Sequence, residues 1–259
     1  MTSLTPWFDA GVTLECDPLV VEDRLYIAGL DASVRSLHPA TGKERWSVKL
    51  RGTQVNGLAH GDGIVYAAVS FTGTVGPGTI CAVDAATGDA QWVHKAAQHV
   101  GTGPALADGA LYYGMSHGSI GDRAGELTAL DLAMRRARWT FAAGPFAGTP
   151  FVIGDDVLAA SQDGALYCVR RADGSLRWRF ETAKFIAGTP AATQDLVLAG
   201  SFDSVLYALD SGTGQERWRF ESRGPFRASP VVASDTVYVG SYDETLYAIG
   251  LNTGKLRWR

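Results

Sequence analysis

The sequence predicts an all-β protein of about six four-stranded antiparallel blades, a β-propeller that forms a single domain over residues 1–259. Three observations predict this fold. Tryptophans recur about every 40 residues, turn-forming residues recur in step with them, and no stretch keeps a helical apolar period. The 46% hydrophobic and 19% charged content is typical of a folded globular protein.

All seven tryptophans belong to one series, at positions 7, 46, 92, 139, 178, 218 and 258. The steps between them are 39, 46, 47, 39, 40 and 40 residues. A second series follows each tryptophan by 11 or 12 residues, and this proline column contains Pro18, Leu58, Pro104, Pro150, Pro190 and Pro230. The two series divide the chain into units 8–46, 47–92, 93–139, 140–178, 179–218 and 219–258.

Each unit contains four short strand-like segments. Between Pro190 and Trp218, a short apolar run is followed by segments 196–200, 205–209 and 216–220, separated by turn residues. Four strands in about 40 residues is typical of a propeller blade, whereas solenoid repeats of this length are helical or carry one strand. Such a blade cannot bury its own faces, so we expect the blades to stack around an axis.

The end of each unit resembles the tryptophan-docking motif of pyrroloquinoline-quinone-like (PQQ-like) repeats, Ala-x-Asp-x-x-Thr-Gly-x-x-x-Trp. Two copies are complete: Ala82, Asp84, Thr87, Gly88, Trp92 and Ala208, Asp210, Thr213, Gly214, Trp218. The other four are partial, and the unit that ends at Trp139 has Met134-Arg135 instead of Thr-Gly. The resemblance implies a propeller in which a Thr-Gly turn with positive φ lets an indole lie flat between neighbouring blades.

The best-known activity of this family is quinone-dependent dehydrogenation. The resemblance implies that such enzymes are larger, eight-bladed rings with adjacent cysteines and a calcium-binding acid and amide set. The cysteines of this chain, Cys16, Cys81 and Cys168, are separated and odd in number, without CxxC spacing. We therefore predict no PQQ or other cofactor, no disulfide and no metal site.

Charge and hydropathy limit the partners. The net charge of −4, the absence of a Lys/Arg run and the absence of a long apolar segment predict neither a nucleic-acid nor a membrane partner. Without a signal-like N-terminus, we expect a cytoplasmic protein. Residues 6–9, Pro-Trp-Phe-Asp, look like a continuation of the last repeat. This predicts that the N-terminal strand packs on the last blade and closes the ring.

The interblade connections are where we expect a site, because loops at strand ends carry function more often than blade interiors. These connections predict a funnel around the axis with a mostly apolar wall. Its predicted binding residues are Arg227, Gln54, Asn56, Phe146 and Phe226, together with Tyr242 in a turn on the same face.

Three further residues are weak catalytic candidates: Glu15, His99 and His117. Glu15 and Arg227 would meet if the ring closes, as a structural ion pair or as part of a ligand site. His99 and His117 could form an acid/base pair with Asp122 or Glu126, although solvated loop histidines are commoner. Insertions at 70–79 and 116–126 could form a lip over the funnel, or be tolerated loop growth.

Two functions follow. The first is a non-catalytic binding or scaffold propeller that recognises a peptide, a protein or a small ligand on the interblade-loop face, as the absence of a catalytic constellation indicates. The alternative is a small-molecule enzyme or ligand sensor whose site lies in the funnel, under the two insertions.

Overall fold

The computed structural model describes residues 13, 14, 16–71, 76–116 and 124–259. These residues form six antiparallel sheets, which we call blades 1 to 6. Blade 1 contains β1 (Leu19–Val21), β2 (Arg24–Ala28), β3 (Ser33–Leu37) and β4 (Glu44–Lys49). Blade 2 contains β5 (Gln54–Gly61), β6 (Ile64–Ser70), β7 (Thr79–Asp84) and β8 (Ala90–Lys95). Blade 3 contains β9 (His99–Val100), β10 (Ala105–Ala107), β11 (Ala110–Ser116), β12 (Gly125–Asp131) and β13 (Arg136–Ala143).

Blades 4 to 6 repeat the plan with shorter turns. Blade 4 contains β14 (Phe146–Ile153), β15 (Asp156–Ser161), β16 (Ala165–Arg170) and β17 (Leu176–Glu181). Blade 5 contains β18 (Ala191–Ala192), β19 (Leu196–Gly200), β20 (Val205–Asp210) and β21 (Glu216–Glu221). Blade 6 contains β22 (Val231–Ala233), β23 (Thr236–Gly240), β24 (Leu246–Gly250) and β25 (Leu256–Trp258).

Within the four-stranded path of each blade, consecutive strands are neighbours in the sheet, as short turns between antiparallel strands require. The predicted all-β architecture of about six four-stranded blades is confirmed, with β9 pairing to β11 as an additional short strand in blade 3. No helix within the described ranges is long and apolar enough to cross a bilayer. Residues 4–10 lie outside the described residues, so closure of the ring by the N-terminal strand stays a prediction.

The middle strands of a blade are buried on both faces, whereas the fourth strand alternates between exposed and partly buried residues. All of β19 is buried. In β21, Arg217, Arg219 and Glu221 are exposed and alternate with the partly buried Trp218 and Phe220. This is the pattern of a sheet that packs against a neighbour on each side and meets solvent at its outer edge.

Five apolar clusters hold successive blades together. The first contains Tyr26 and Val34 of blade 1 and Val65 and Val69 of blade 2, and four more clusters repeat this arrangement up to blades 5 and 6. Within the described residues, no such cluster joins blade 6 to blade 1.

In blades 1, 3, 4 and 5, a tryptophan on the fourth strand bridges the blade to a turn of the next. The indole Nε1 donates to a backbone carbonyl in that turn, and the bonds are Trp46 to Ala85 (3.1 Å), Trp139 to Arg171 (2.8 Å), Trp178 to Ser211 (3.0 Å) and Trp218 to Leu251 (2.8 Å). The indole also packs flat on a glycine of positive φ, which lies three residues after the residue that accepts its hydrogen bond. A Cβ at Gly214, for example, would lie 2.6 Å from the Trp178 ring.

The interface between blades 2 and 3 lacks this glycine contact, because Arg135 of blade 3 replaces the turn glycine. Arg135 adopts a φ of 53°, and its guanidinium carbon lies 5.3 Å from the centre of the Trp92 ring. A cation–π contact thus takes the place of the glycine contact at this interface.

Candidate functional site

The interblade connections surround a cavity of about 950 Å³ on the axis of the blades. All six blades contribute to its lining, which consists of residues 14, 16–19, 56–58, 101–103, 148–149, 187–189, 227–229 and 231. The contributing residues mainly occupy the first two positions before the proline column. We call this space the axial cavity.

A chain of hydroxyl contacts crosses the wall of the axial cavity from blade to blade. The Thr149 N–H donates to Oγ1 of Thr189 over 2.9 Å, and the Thr189 N–H donates to Oγ of Ser229 over 3.0 Å. The spacing of 40 residues repeats because each residue directly precedes the proline of its blade. A hydroxyl that accepts one bond keeps its own O–H, which can donate to a ligand.

Asn56 continues the polar wall between blades 2 and 3. Its Nδ2 donates to the carbonyl of Val100 over 2.7 Å, and its Oδ1 accepts from Nε2 of Gln54 over 2.6 Å. Asn56 lines the axial cavity, whereas Gln54 supports it from behind. The predicted pair is therefore brought together, with the amide of Asn56 as the member that faces the axis.

Part of the wall is apolar, with Leu14, Leu58 and Val231 in the lining, but two of the predicted binding residues do not reach it. Phe146 and Phe226 are fully buried in the interblade core, where they contact Tyr167 and Tyr247 edge-on, and neither lines the axial cavity. These phenylalanines lie four residues before the proline column, a position at which the side chain enters the space between blades. Residues nearer the prolines, among them hydroxyl residues, glycines and small apolar residues, line the axial cavity instead.

Arg227 is the cation of the axial cavity. Its side chain is exposed, and no ion pair to it occurs among the described residues. The lining also contains the exposed Asp17 of blade 1. Glu15 lies outside the described residues, so its pairing with Arg227 stays a prediction.

His99, the one weak catalytic candidate within the described residues, does not line the axial cavity. His99 lies in β9 opposite Ser116, outside the lining of the axial cavity, and burial lowers the pKa of its imidazole. His117 and Asp122 lie outside the described residues, and Glu126 lies opposite Met115 in β12. Within the described ranges, no group of three His, Cys, Asp or Glu side chains could hold a metal ion.

Cys16 does line the axial cavity, but its environment makes it a poor nucleophile. Burial raises the pKa of its thiol, which donates weakly to the carbonyl of Ala28 over 3.8 Å. A thiol needs a lowered pKa to react at neutral pH. Cys16 therefore acts as a small packing residue.

Three aromatic rings form a strip on the face of the interblade connections, which we call the connection face. One ring lies in the connection that enters blade 5, and the other two lie in turns of blades 5 and 6. The rings of Phe185 and Phe202 stack with centroids 3.9 Å apart, and Tyr242 meets Phe202 edge-on at 5.8 Å. Phe185 and Tyr242 are exposed. We call these three residues the aromatic strip. Phe185 precedes the cavity-lining Ala187 by two residues, so one connection carries both a ring of the strip and part of the cavity lining.

Backbone contacts hold the aromatic strip to the connections. The Phe202 N–H donates to the carbonyl of Phe185 over 3.0 Å, and the Tyr242 N–H donates to that of Pro225 over 2.9 Å. Each turn thus binds the connection that enters its blade. Of the strip, sequence analysis identified only Tyr242; the aromatic that follows serine in Ser201-Phe202 and Ser241-Tyr242 is the signal that reveals the repeat.

An aspartate shapes each of these turns. Asp203 accepts hydrogen bonds from the N–H groups of Ala183 and Val205 and from the hydroxyl of Tyr207 at 2.9 Å. Burial, and then the bond to Asp203, raise the pKa of Tyr207 to about 12. Asp163 and Asp243 make the same tyrosine contact in blades 4 and 6. These carboxylates are saturated by structural contacts.

Comparison with known proteins agrees with the six-bladed propeller fold. A family model described as "Outer membrane protein assembly factor BamB" matches residues 2–140 and 123–259, which together span nearly the whole chain. The chain belongs to the BamB family. This match confirms the predicted membership of the PQQ-like repeat propellers. No curated protein matches the chain.

Solved structures show the same fold as this BamB family member. The crystal structure of BamB from Moraxella catarrhalis is 19% identical with a TM-score of 0.76, and the match covers 97% of this chain and 73% of that one. The computationally designed Ika8 protein is 14% identical with a TM-score of 0.65, covering 95% of this chain and 86% of that one. The predicted cytoplasmic location stays a prediction.

Proposed function

We propose that this protein is a non-catalytic binding propeller that recognises an extended peptide segment of a protein partner on its connection face. The observation that carries the proposal is the axial cavity, which offers hydroxyl groups and the Arg227 cation, without an ion-pair partner among the described residues, close in the chain to an exposed aromatic strip. Membership of a family named for an assembly factor supports a role in protein interaction.

The chemistry of the wall suits a peptide. A bound segment needs partners for its backbone N–H and C=O groups, and the hydroxyls of Thr149, Thr189 and Ser229 can supply them. Exposed aromatic rings provide the apolar anchors that dominate protein interfaces. The guanidinium of Arg227 favours an acidic residue in the partner, because a charge-assisted bond to a carboxylate is stronger than a neutral one.

The same lining supports a binding role over catalysis. Its thiol, Cys16, has a raised pKa, and the nearby His99 lies outside the lining. Pyrroloquinoline quinone carries three carboxylates, whereas the lining offers a single arginine, so these residues do not fit that cofactor. We therefore propose no quinone chemistry.

A small polar ligand in the axial cavity is a second candidate. A volume of about 950 Å³ lies within the range of small-molecule sites. Thermal-shift screening of small carboxylates would support this candidate if a hit stabilises the wild type and fails to stabilise Arg227→Glu. Saturable stabilisation that Arg227→Glu leaves unchanged would contradict it.

Selection of peptides from a random display library on the whole chain tests the proposed function. We expect selected peptides to be enriched in acidic and aromatic residues and to lose about tenfold or more in affinity on Arg227→Glu or Tyr242→Ala. Arg136→Glu, a charge reversal at an exposed arginine on the outer strand β13, is the matched control.

Affinity that Arg136→Glu reduces as strongly as Arg227→Glu would contradict the proposal, because it would reflect net charge rather than the axial cavity. Selected peptides that tolerate all three substitutions would contradict it as well.

A further inference from the structure

A second cavity lies between blades 4 and 5, at the strand ends opposite to the connection face. Its volume is about 330 Å³. Ile153, at the end of β14, lines it on the side of blade 4, and the turn residues Ser211 and Gly212 line it on the side of blade 5. We call this space the interblade pocket. The carboxylate of Asp156 belongs to its lining.

Asp156 is the one acid at its position in the repeat. The second strand of the four-stranded path begins at Arg24, Ile64, Ala110, Asp156, Leu196 and Thr236 in blades 1 to 6. Asp156 is only 7% exposed. A buried carboxylate is costly unless hydrogen bonds and an opposite charge satisfy it, so its presence here needs an explanation.

An ion pair explains one of its two oxygens. Nη1 of Arg177 donates to Oδ2 of Asp156. In blade 5 the equivalent arginine, Arg217, donates to Asp210 instead. Blade 4 has Arg170 at the position of Asp210, so Asp156 supplies the carboxylate that the repeat has lost there.

The other oxygen has no donor. Oδ1 of Asp156 is buried and accepts no hydrogen bond from any described residue. In Asp210, by contrast, Oδ1 accepts from the N–H groups of Gly212 and Thr213 over 3.1 and 2.9 Å. A buried acceptor without a donor costs free energy that a bound donor recovers. The interblade pocket therefore presents an unused acceptor to a ligand.

The charge of the lining favours a cation as that ligand. Two carboxylates, those of Asp155 and Asp156, share the lining with one guanidinium, that of Arg177. Arg171 lies 3.7 Å from Asp155 but only 2.8 Å from Asp108, so it is shared between two carboxylates. A cationic N–H group forms a stronger bond to a carboxylate than a neutral donor does.

The remaining walls add apolar surface and no further charge. Ile153 and the fully buried Leu158 line the interblade pocket. Burial raises the pKa of the Cys168 thiol to about 12, so this lining residue is neutral. Arg170 lines a separate cavity, between blades 3 and 4. The pocket thus combines a carboxylate oxygen with a short apolar wall.

We propose that the interblade pocket binds a small primary alkylammonium ion. Its ammonium group donates to Oδ1 of Asp156, and its alkyl chain lies against Ile153. A compact ammonium with three donors suits a single acceptor beside an existing ion pair. The site lies on the face opposite to the axial cavity, so it is independent of the proposed peptide binding.

Chemical-shift titration of the whole chain with butylammonium chloride, at constant ionic strength, tests the proposal. We expect saturable shifts of the Ser211 and Gly212 amides in the wild type and about tenfold or more weaker binding in Asp156→Asn. Asp195→Asn is the matched control, because Asp195 is an exposed turn aspartate of blade 5 outside the lining. This variant should bind like the wild type.

Butanol, with the same alkyl chain and no charge, should bind about tenfold or more weakly than butylammonium. Three outcomes would overturn the proposal. Equal affinity of the wild type and Asp156→Asn shows that the carboxylate is not the acceptor, and equal affinity for butanol shows that charge plays no part. The absence of saturable shifts in the wild type shows that water alone satisfies Oδ1. Urea unfolding verifies that each variant folds, and Asp156→Thr, with the residue that blade 6 has at this position, replaces Asp156→Asn if that variant unfolds.

Discussion

The indole nitrogen of Trp218 donates a hydrogen bond of 2.8 Å to the carbonyl oxygen of Leu251, 33 residues later and in the next blade. The same indole packs on Gly254, so one side chain joins a strand of blade 5 to a turn of blade 6. Trp258 occupies the equivalent position in blade 6 and is half exposed. The two tryptophans occupy equivalent positions, and of the two only Trp218 packs against another described blade.

This difference predicts unequal costs for the same substitution. Trp218→Phe removes a hydrogen bond and leaves space in a packed interface, so we expect it to lower the free energy of unfolding by about 1–3 kcal/mol. Trp258→Phe should change it by less than about 0.5 kcal/mol, as at other exposed sites. Urea denaturation at a dilute protein concentration measures both. Equal losses would contradict the assigned packing.

A second pair of substitutions separates backbone strain from contact with the indole. Gly214 and Gly63 have φ values of 70° and 73°, but a Cβ would meet the Trp178 ring only at Gly214 and would meet nothing within 4 Å at Gly63. Both alanine substitutions incur the cost of a left-handed residue, roughly 1–2 kcal/mol. We expect Gly214→Ala to lower the free energy of unfolding by about 1–3 kcal/mol more than Gly63→Ala. A smaller or reversed difference would mean that the indole contact contributes little.

The strand tyrosines that donate to the turn aspartates predict a loss of stability in alkali. Burial, reinforced by the bond to Asp203, raises the pKa of Tyr207 to about 12, whereas an unfolded tyrosine titrates near about 10. Between these values the unfolded state binds fewer protons, so the free energy of unfolding falls as the pH rises. Below about pH 10, Tyr207 is protonated in both states and makes its full contribution to the free energy of unfolding.

Tyr207→Phe tests this assignment. At pH 8 the variant should be less stable than the wild type, because it lacks the hydroxyl bond to Asp203. The difference should shrink as the pH rises from 10 to 12, since only the wild type can ionise at this position. Urea denaturation as a function of pH measures it. A difference that is constant with pH would show that Tyr207 does not titrate with unfolding.

Much of the fold follows from the sequence because the interblade contacts are repeated. A tryptophan occupies a fixed position in each unit and a Thr-Gly turn precedes it in four of the six, so spacing alone defines the blades. Departures from the pattern are less predictable. At Met134-Arg135 the glycine is missing, yet Arg135 adopts the positive φ and covers Trp92 with its guanidinium.

The site was predicted less completely, because the direction of a side chain in a connection depends on how far it lies from the proline. Phe226 was expected on the wall and lies in the core, whereas Ser229, three residues later, faces the axis. The repeated Thr-Pro and Ser-Pro pairs at Thr149, Thr189 and Ser229 are a sequence signal that could have identified the wall. The edge-on contact of Phe202 with Tyr242 depends on two blades and has no such signal.

The most direct measurement of the central claim is amide hydrogen exchange of the whole chain with and without a peptide selected by display. The account predicts slower exchange in the connections at 147–149, 187–189 and 227–229, and in the turns at 201–204 and 241–244. Protection confined to the turns at 211–215 and 251–255, on the opposite face, would contradict it.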